Sequence, residues 1–149
     1  MWLSKLWNNP INRLYTFALF KHAAFFSAVL VPFFTEWGGI TLFQVQLLQS
    51  WFSIWVFVLE VPTGALADRI GRKHSISLGS LIIALAVIVY GLVPNFYVFL
   101  LAELIFAIGY AFVSGADQAL LFDTLKVSGI ESESKKVMGR YDATYLIGM

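Results

Sequence analysis

The stretch GALADRIGRK, residues 64–73, joins two strongly apolar segments and determines how the whole chain is interpreted. It holds four of the nineteen charged side chains, which are ten Lys and Arg and nine Asp and Glu. The whole chain is 59% hydrophobic and 13% charged, with a mean hydropathy of +0.77. An ordinary soluble domain is about one quarter charged. The stretch is therefore a polar link within an integral membrane protein.

Four apolar segments approach or exceed the roughly 20 residues that a helix needs to cross a bilayer. Turn signals separate them, such as the paired glycines after Trp37 and the sequence Val93-Pro94-Asn95. A further apolar segment begins at Tyr141. We predict an all-α fold with four transmembrane helices and the start of a fifth, which form one partial N-terminal transmembrane domain over residues 1–149. The predicted spans are 14–34, 40–67, 76–93, 96–125 and an incomplete fifth from 141.

The Lys and Arg side chains are concentrated in alternate links. They precede the first span, recur in residues 69–73 and follow the fourth span in residues 126–140, whereas the links around Glu36 and Asn95 contain neither. Short loops rich in Lys and Arg stay in the cytoplasm. We therefore expect a multi-pass protein of the cell membrane with its N-terminus in the cytoplasm.

The composition also excludes several classes of function. The chain has no cysteine, and its two His residues have no spaced partner, so we predict no metal site and no disulfide. A net charge of +1 without a long basic run argues against a nucleic-acid partner. No nucleophile or phosphate-loop motif is present, so we do not expect an enzyme.

The link has the pattern of a known transporter motif. GALADRIGRK between the second and third spans resembles the signature of the major facilitator superfamily of secondary transporters. EVPT (60–63) and SGADQALLFDTL (114–125) are similar to its bacterial multidrug exporter branch. The resemblance implies two six-helix halves that transport by alternating access. This chain is then the first part, its C-terminal half is missing, and a proton gradient rather than a bound cofactor is expected to drive transport.

In this family the signature acts as a conformational latch. The resemblance implies that Gly64 packs against a helix of the other half, that Asp68 meets the N-terminus of that helix, and that Asp123 holds Arg72. The spacing itself places Gly64 and Asp68 on one helical face. The complete predicted latch comprises Gly64, Asp68, Arg69, Gly71, Arg72, Lys73 and Asp123.

Ionisable side chains inside the spans indicate functional positions, because a charge that faces lipid costs about 2.5 to 3.5 kcal/mol on insertion scales. Glu103, Tyr110, Ser114 and Asp117 share one face of the fourth span. A polar line on the second span runs toward the signature. The predicted substrate or proton cavity comprises Lys21, His22, Glu103, Tyr110 and Asp117, and the predicted gate lining comprises Gln46, Gln49, Ser53 and Glu60.

Some of these positions also have a purely structural interpretation. Lys21 can extend its ammonium group to the interface, His22 can be neutral and hydrogen-bonded, and Glu60 can be an interfacial anchor. Small residues four apart in the fourth span, from Ala107 to Ala119, fit a helix-packing seam rather than a site.

The predicted function is proton-coupled efflux of small amphipathic or drug-like compounds, with the lipid bilayer and the substrate as partners. Many proton-coupled exporters of this family carry an arginine early in the fourth span, where this chain has Glu103. The alternative is a small four-span protein that forms an oligomeric pore or scaffold. The signature favours the carrier, since a latch for a second half has no clear use in a four-helix unit.

Overall fold

A computed structural model describes residues 10–22, 27–129 and 131–148 of the chain. Within these ranges the protein is helical and contains no β-strand, as the predicted all-α fold requires. The elements are α1 Pro10–His22, α2 Ser27–Pro32, a π-helical turn Phe33–Trp37, α3 Leu42–Ile70, α4 Arg72–Tyr90, α5 Phe96–Val127, a 3-10 turn Glu131–Glu133 and α6 Ser134–Gly148.

Helices α3, α4 and α5 are long and apolar enough to cross a membrane. Helix α3 has 29 residues and α5 has 32. At a rise of about 1.5 Å per residue they extend about 44 Å and 48 Å, beyond the roughly 30 Å of a hydrocarbon core. Both helices must therefore tilt or project from the bilayer. The first predicted span, 14–34, contains most of α1, all of α2 and part of the π-helical turn, and its residues 23–26 lie outside the described ranges.

Local hydrogen bonds explain where α3 and α5 begin. The side chain of Thr41 accepts from the backbone N–H of Gln44 at 3.2 Å, and the side chain of Gln44 accepts from the backbone N–H of Thr41 at 2.9 Å. This reciprocal capping box satisfies two N–H groups at the start of α3. At the start of α5, Asn95 Oδ1 accepts from the backbone N–H of Tyr97 at 2.8 Å.

The link between α3 and α4 is a one-residue break, whereas the sequence predicted spans that stop at 67 and resume at 76. The backbone N–H of Gly71 donates to Ala67 O at 2.9 Å, so α3 continues to Ile70. Gly71 O then accepts from the backbone N–H groups of His74 and Ser75 at 3.0 Å and 3.1 Å, so α4 starts at once. Gly71 has φ +93°, a conformation that glycine adopts without strain.

The polar segment 126–136 is likewise more helical than predicted. Helix α5 continues to Val127, and α6 begins at Ser134 rather than at residue 141. The turn at Ser128 and Gly129 is short because Gly129 has φ +71°. Lys and Met, both good helix formers, occupy the first residues of α6.

The chain divides into two compact units, which are described separately. The smaller unit consists of residues 1–27 and 118–149. In its described part, α1 packs against α6, and the Tyr15 hydroxyl donates to Val137 O at 3.2 Å. Its buried core residues are Ile11, Ala18, Leu121, Leu125, Val137 and Tyr141.

The larger unit, residues 28–117, is closed at one end by an aromatic cluster. The rings of Phe34 and Phe99 are fully buried and meet edge to face at 5.1 Å. Phe33 stacks on Trp37 at 4.9 Å within the π-helical turn. The end cluster comprises the buried residues Phe34, Ile40, Val45, Leu48 and Phe99, with Leu30, Phe33, Tyr90, Phe96 and Leu100 packed against them.

Two glycines bring α4 and α5 into close contact. A Cβ atom on Gly79 would lie 2.6 Å from Gly109 O, and one on Gly109 would lie 2.8 Å from Gly79 O. These distances are shorter than any ordinary carbon–oxygen contact. The absence of side chains therefore sets how closely the two helices pack, as is common in membrane proteins.

We expect Gly79→Ala to destabilise the protein by about 1–3 kcal/mol, because the added methyl group forces α4 and α5 apart. Thermal unfolding in detergent micelles measures the change. Gly139→Ala on α6 is the matched control, since a Cβ there meets no atom within 4 Å. Equal unfolding midpoints for the two variants would show that the α4–α5 contact is not tight.

Candidate functional site

The carboxylate of Glu103 lies at the centre of the larger unit. Glu103 belongs to α5 and is only 4% exposed. Gln49 Nε2 on α3 donates to Glu103 Oε1 at 3.5 Å. One buried acid on α5 is thus in contact with α3.

A buried carboxylate of this kind needs a specific arrangement to be tolerated. Removal of a carboxylate from water costs several kcal/mol unless hydrogen bonds or an opposite charge compensate. Within the described residues, the side chain that donates to Glu103 is the neutral amide of Gln49. A neutral donor satisfies a carboxyl oxygen but supplies no opposite charge.

Two hydroxyl groups fix the neighbouring part of the bundle. Thr63 Oγ1 on α3 donates to Ala111 O at 3.1 Å, and Ser75 Oγ on α4 donates to Phe112 O at 2.9 Å. Both Thr63 and Ser75 are buried. Consecutive carbonyl groups of α5 therefore accept one bond from each of the other two long helices, on either side of the break at Gly71.

Aromatic side chains occupy the contact between α3 and α5. Trp51 Nε1 donates to Leu100 O at 3.1 Å, and the Trp51 ring meets Trp55 edge to face at 5.4 Å. Phe52 contacts the rings of Phe106 and Tyr110, each at a centroid distance of 5.7 Å. The surroundings of Glu103 are therefore rich in aromatic rings.

Of the predicted cavity residues that the structure describes, Glu103 and Asp117 are buried and Tyr110 is half-buried. Asp117 is 3% exposed, similar to Glu103. Tyr110 lies against Phe52, and Ser114 Oγ donates to the carbonyl oxygen of Ala111 in its own helix at 3.4 Å. The side chains of Lys21 and His22 lie outside the described part of the chain.

The predicted gate residues fall into two groups. Gln46, Ser53 and Glu60 are exposed on α3. Gln49 is half-buried and points to Glu103. Ser53 Oγ donates to the carbonyl oxygen of Gln49 at 2.8 Å, a bond within the same helix. An exposed polar line therefore runs along α3 beside the buried contacts.

The predicted latch residues cluster around the break at Gly71. Arg72 and Asp68 form an ion pair, with Arg72 Nη2 3.4 Å from Asp68 Oδ1. The Asp68 side chain is 68% exposed, and exposed pairs of this kind contribute about 0–1 kcal/mol. Arg69 and Lys73 are also exposed. Such a weak pair can exchange partners at little cost in free energy.

Gly64 and Asp123 have different surroundings. A Cβ atom on Gly64 would meet no atom within 4 Å, although a Cβ on Gly115 would lie 3.6 Å from Gly64 Cα. The Cα side of Gly64 therefore packs near α5, while its Cβ direction is open. Asp123 is exposed and belongs to the smaller unit, and its predicted contact with Arg72 stays a prediction.

The sequence analysis did not identify the partner groups of this site. Thr63 and Ser75 each donate a hydrogen bond to a carbonyl group of α5. Thr63 lies within the predicted span 40–67, and Ser75 lies one residue before the predicted span 76–93. The available signal was that both residues carry hydroxyl groups in or beside segments predicted to cross the membrane, where polar groups bond to neighbouring helices.

The larger unit is a bundle of bilayer-length helices with polar groups buried between them, which defines an integral membrane protein. The sequence model of the Major Facilitator Superfamily matches residues 14–149, and the chain belongs to this family of secondary transporters. The family predicted from the signature is thereby confirmed, as is the expectation that the protein is not an enzyme. Searches of curated proteins and of solved structures find no match.

We expect Ser75→Ala to lower the stability of the bundle by about 0.6–1.7 kcal/mol, the range for one hydrogen bond between membrane helices. Ser80→Ala on the same helix is the matched control, because the bond that Ser80 Oγ makes among the described residues is to Ile76 O within α4. Denaturant unfolding in mixed micelles compares the two variants. Identical losses of unfolding free energy in the two variants would show that the Ser75–Phe112 hydrogen bond does not stabilise the bundle.

Proposed function

We propose that this chain is the N-terminal part of a proton-driven exporter of small amphipathic, drug-like compounds. The single observation that supports this proposal most directly is the carboxylate of Glu103, which is buried within a bundle of bilayer-length helices and contacted by the neutral amide of Gln49. An ionisable group at such a depth marks an ion or proton pathway by default. Asp117, also buried on α5, is the second acid in this proposal.

The aromatic surroundings support an amphipathic substrate. Trp51, Phe52 and Tyr110 lie on the facing sides of α3 and α5, on the helices that also carry Gln49 and Glu103. Aromatic faces attract organic cations, and a carboxylate adds a charge of the opposite sign. A hydrophobic organic cation is therefore the substrate class that these side chains recognise best. In the proposed cycle this cation and a proton compete for the Glu103 carboxylate.

The exposed polar line on α3 supports a second half. Gln46, Ser53 and Glu60 are exposed on a helix of bilayer length. Lipid tails cannot satisfy the amide of Gln46 or the carboxylate of Glu60, so protein or water must cover these two groups. In the proposed carrier, the missing C-terminal half and the transport route between the two halves provide that cover.

The link at 64–73 acts as the latch in this proposal. Asp68 and Arg72 exchange their mutual ion pair for the partners that the family signature implies, which are a helix of the other half and Asp123. The open Cβ direction of Gly64 leaves room for that helix. Arg69 and Lys73 hold the link at the cytoplasmic face of the cell membrane.

The test uses the complete carrier in proteoliposomes, with ethidium as the probe and an imposed pH gradient. We expect Glu103→Gln to lower proton-driven ethidium transport about tenfold or more, because an amide side chain cannot take up and release a proton during the transport cycle. Asp117→Asn is measured in parallel, and Glu36→Gln is the control, since Glu36 is an exposed acid of the π-helical turn. Transport that persists in both acid variants would remove these acids from the mechanism. A gene that ends after codon 149 would favour the four-span alternative.

A further inference from the structure

The indole N–H of Trp55 on α3 is a buried hydrogen-bond donor without an acceptor. Trp55 is half-buried as a residue, but its Nε1 atom is covered by protein and makes no hydrogen bond to any described residue. A buried tryptophan N–H usually finds a partner, because a hydrogen bond left unmade in the interior costs free energy. An orphaned donor inside a bundle of membrane-spanning helices therefore needs an explanation.

Trp51, one helical turn earlier on α3, shows the bond that Trp55 lacks. Its Nε1 donates to the carbonyl oxygen of Leu100 on α5 at 3.1 Å, and its ring meets the ring of Trp55 edge to face at 5.4 Å. Side chains one turn apart lie on the same side of a helix. The first indole N–H thus joins α3 to α5, whereas the second stays available next to that contact.

Trp55 lies at the level of the proposed substrate site. Trp51 bonds to Leu100 and Thr63 bonds to Ala111, so later residues of α3 meet later residues of α5. Trp55 lies between these two bonds along α3, and the buried acid of α5 lies between them along α5. The unpaired donor therefore occupies the same stretch of the α3–α5 contact as the carboxylate and the aromatic rings.

We infer that Trp55 is a specificity-determining residue, whose indole N–H donates to an acceptor oxygen of the transported compound. This inference rests on the function proposed above and ranks its substrates: hydrophobic cations that carry a carbonyl oxygen bind better than those without one. Nε1 is covered in this structure, so the acceptor reaches it when the helices around the site move apart during alternating access. The new bond then removes the cost of the orphaned donor.

Two probes separate the hydrogen bond from the charge. Tetramethylrhodamine methyl ester is a hydrophobic cation with an ester carbonyl, whereas tetraphenylphosphonium is a hydrophobic cation without an acceptor oxygen. In the complete carrier, we expect Trp55→Phe to raise the KM for the rhodamine ester about two- to tenfold, the effect of one hydrogen bond, and to leave the KM for tetraphenylphosphonium within about twofold. Trp51→Phe is the matched control, because loss of its bond between helices is expected to change both KM values alike.

An isosteric replacement removes the N–H group and keeps the shape of the ring. Benzothienylalanine, which has sulfur in place of the indole N–H, is incorporated at Trp55 or at Trp51. We expect the analogue at Trp51 to lower the thermal unfolding midpoint, because the bond to Leu100 is lost. At Trp55 the midpoint is expected to stay unchanged, since no bond to a described residue is lost. The analogue at Trp55 is also expected to reproduce the selective rise in KM.

Three outcomes would overturn parts of this account. If the ratio of the two KM values in either Trp55 variant equals that of the wild type, the N–H does not select the substrate. A lower unfolding midpoint for the analogue at Trp55 would show that the N–H is already bonded within the protein. A wild-type carrier that moves neither cation would overturn the proposed function, while the unfolding midpoints would still decide whether the donor is unpaired.

Discussion

The burial of the Glu103 carboxylate is the constraint around which the larger unit is organised. A carboxylate inside a helix bundle of bilayer length must find its donors within the protein, and the Gln49 amide of α3 is such a donor. The acid on α5 therefore requires α3 to be in place. The same requirement makes the site sensitive to movement of α3 relative to α5.

The other contacts of the unit are also made within the protein, because water is excluded from the interior of a membrane-spanning bundle. Where α4 crosses α5, Gly79 and Gly109 bring the backbones together, so that van der Waals contact replaces the hydrophobic effect as the source of stability. Further along the bundle, the hydroxyl groups of Thr63 and Ser75 donate hydrogen bonds to consecutive carbonyl groups of α5. The bundle is thus held by an aromatic cluster at one end, a carboxylate beside that cluster and a pair of hydroxyl groups near the break at Gly71.

The sequence predicts the all-α membrane fold, the family and the intramembrane acids, because each depends on local composition or on a short motif. Glu103 and Asp117 stand out as charges among apolar residues. Thr63 and Ser75 do not, since a lone hydroxyl in or beside an apolar helix commonly bonds within its own helix. Their bonds to α5 depend on how the helices cross, which no local pattern encodes.

The ends of α3 and α4 also could not be predicted from the local sequence. Gly71 and its charged neighbours predict a loop from composition, yet the backbone bonds on both sides of Gly71 leave a break of one residue. This geometry determines what the link can do. The two helices meet at a single glycine, and the weak Asp68–Arg72 pair beside that glycine can open without a large cost in free energy.

The family and the distribution of Lys and Arg together predict that the charged break at Gly71 lies at the cytoplasmic face of the membrane and the turn before α5, which has no Lys or Arg, at the opposite face. The 149 residues contain no cysteine, so single cysteines in place of Lys73 and Asn95 can be placed in an otherwise cysteine-free complete carrier and labelled with a membrane-impermeant maleimide. We expect Lys73→Cys to react only in inverted vesicles and Asn95→Cys only in intact cells. Labelling of Lys73→Cys in intact cells would contradict it.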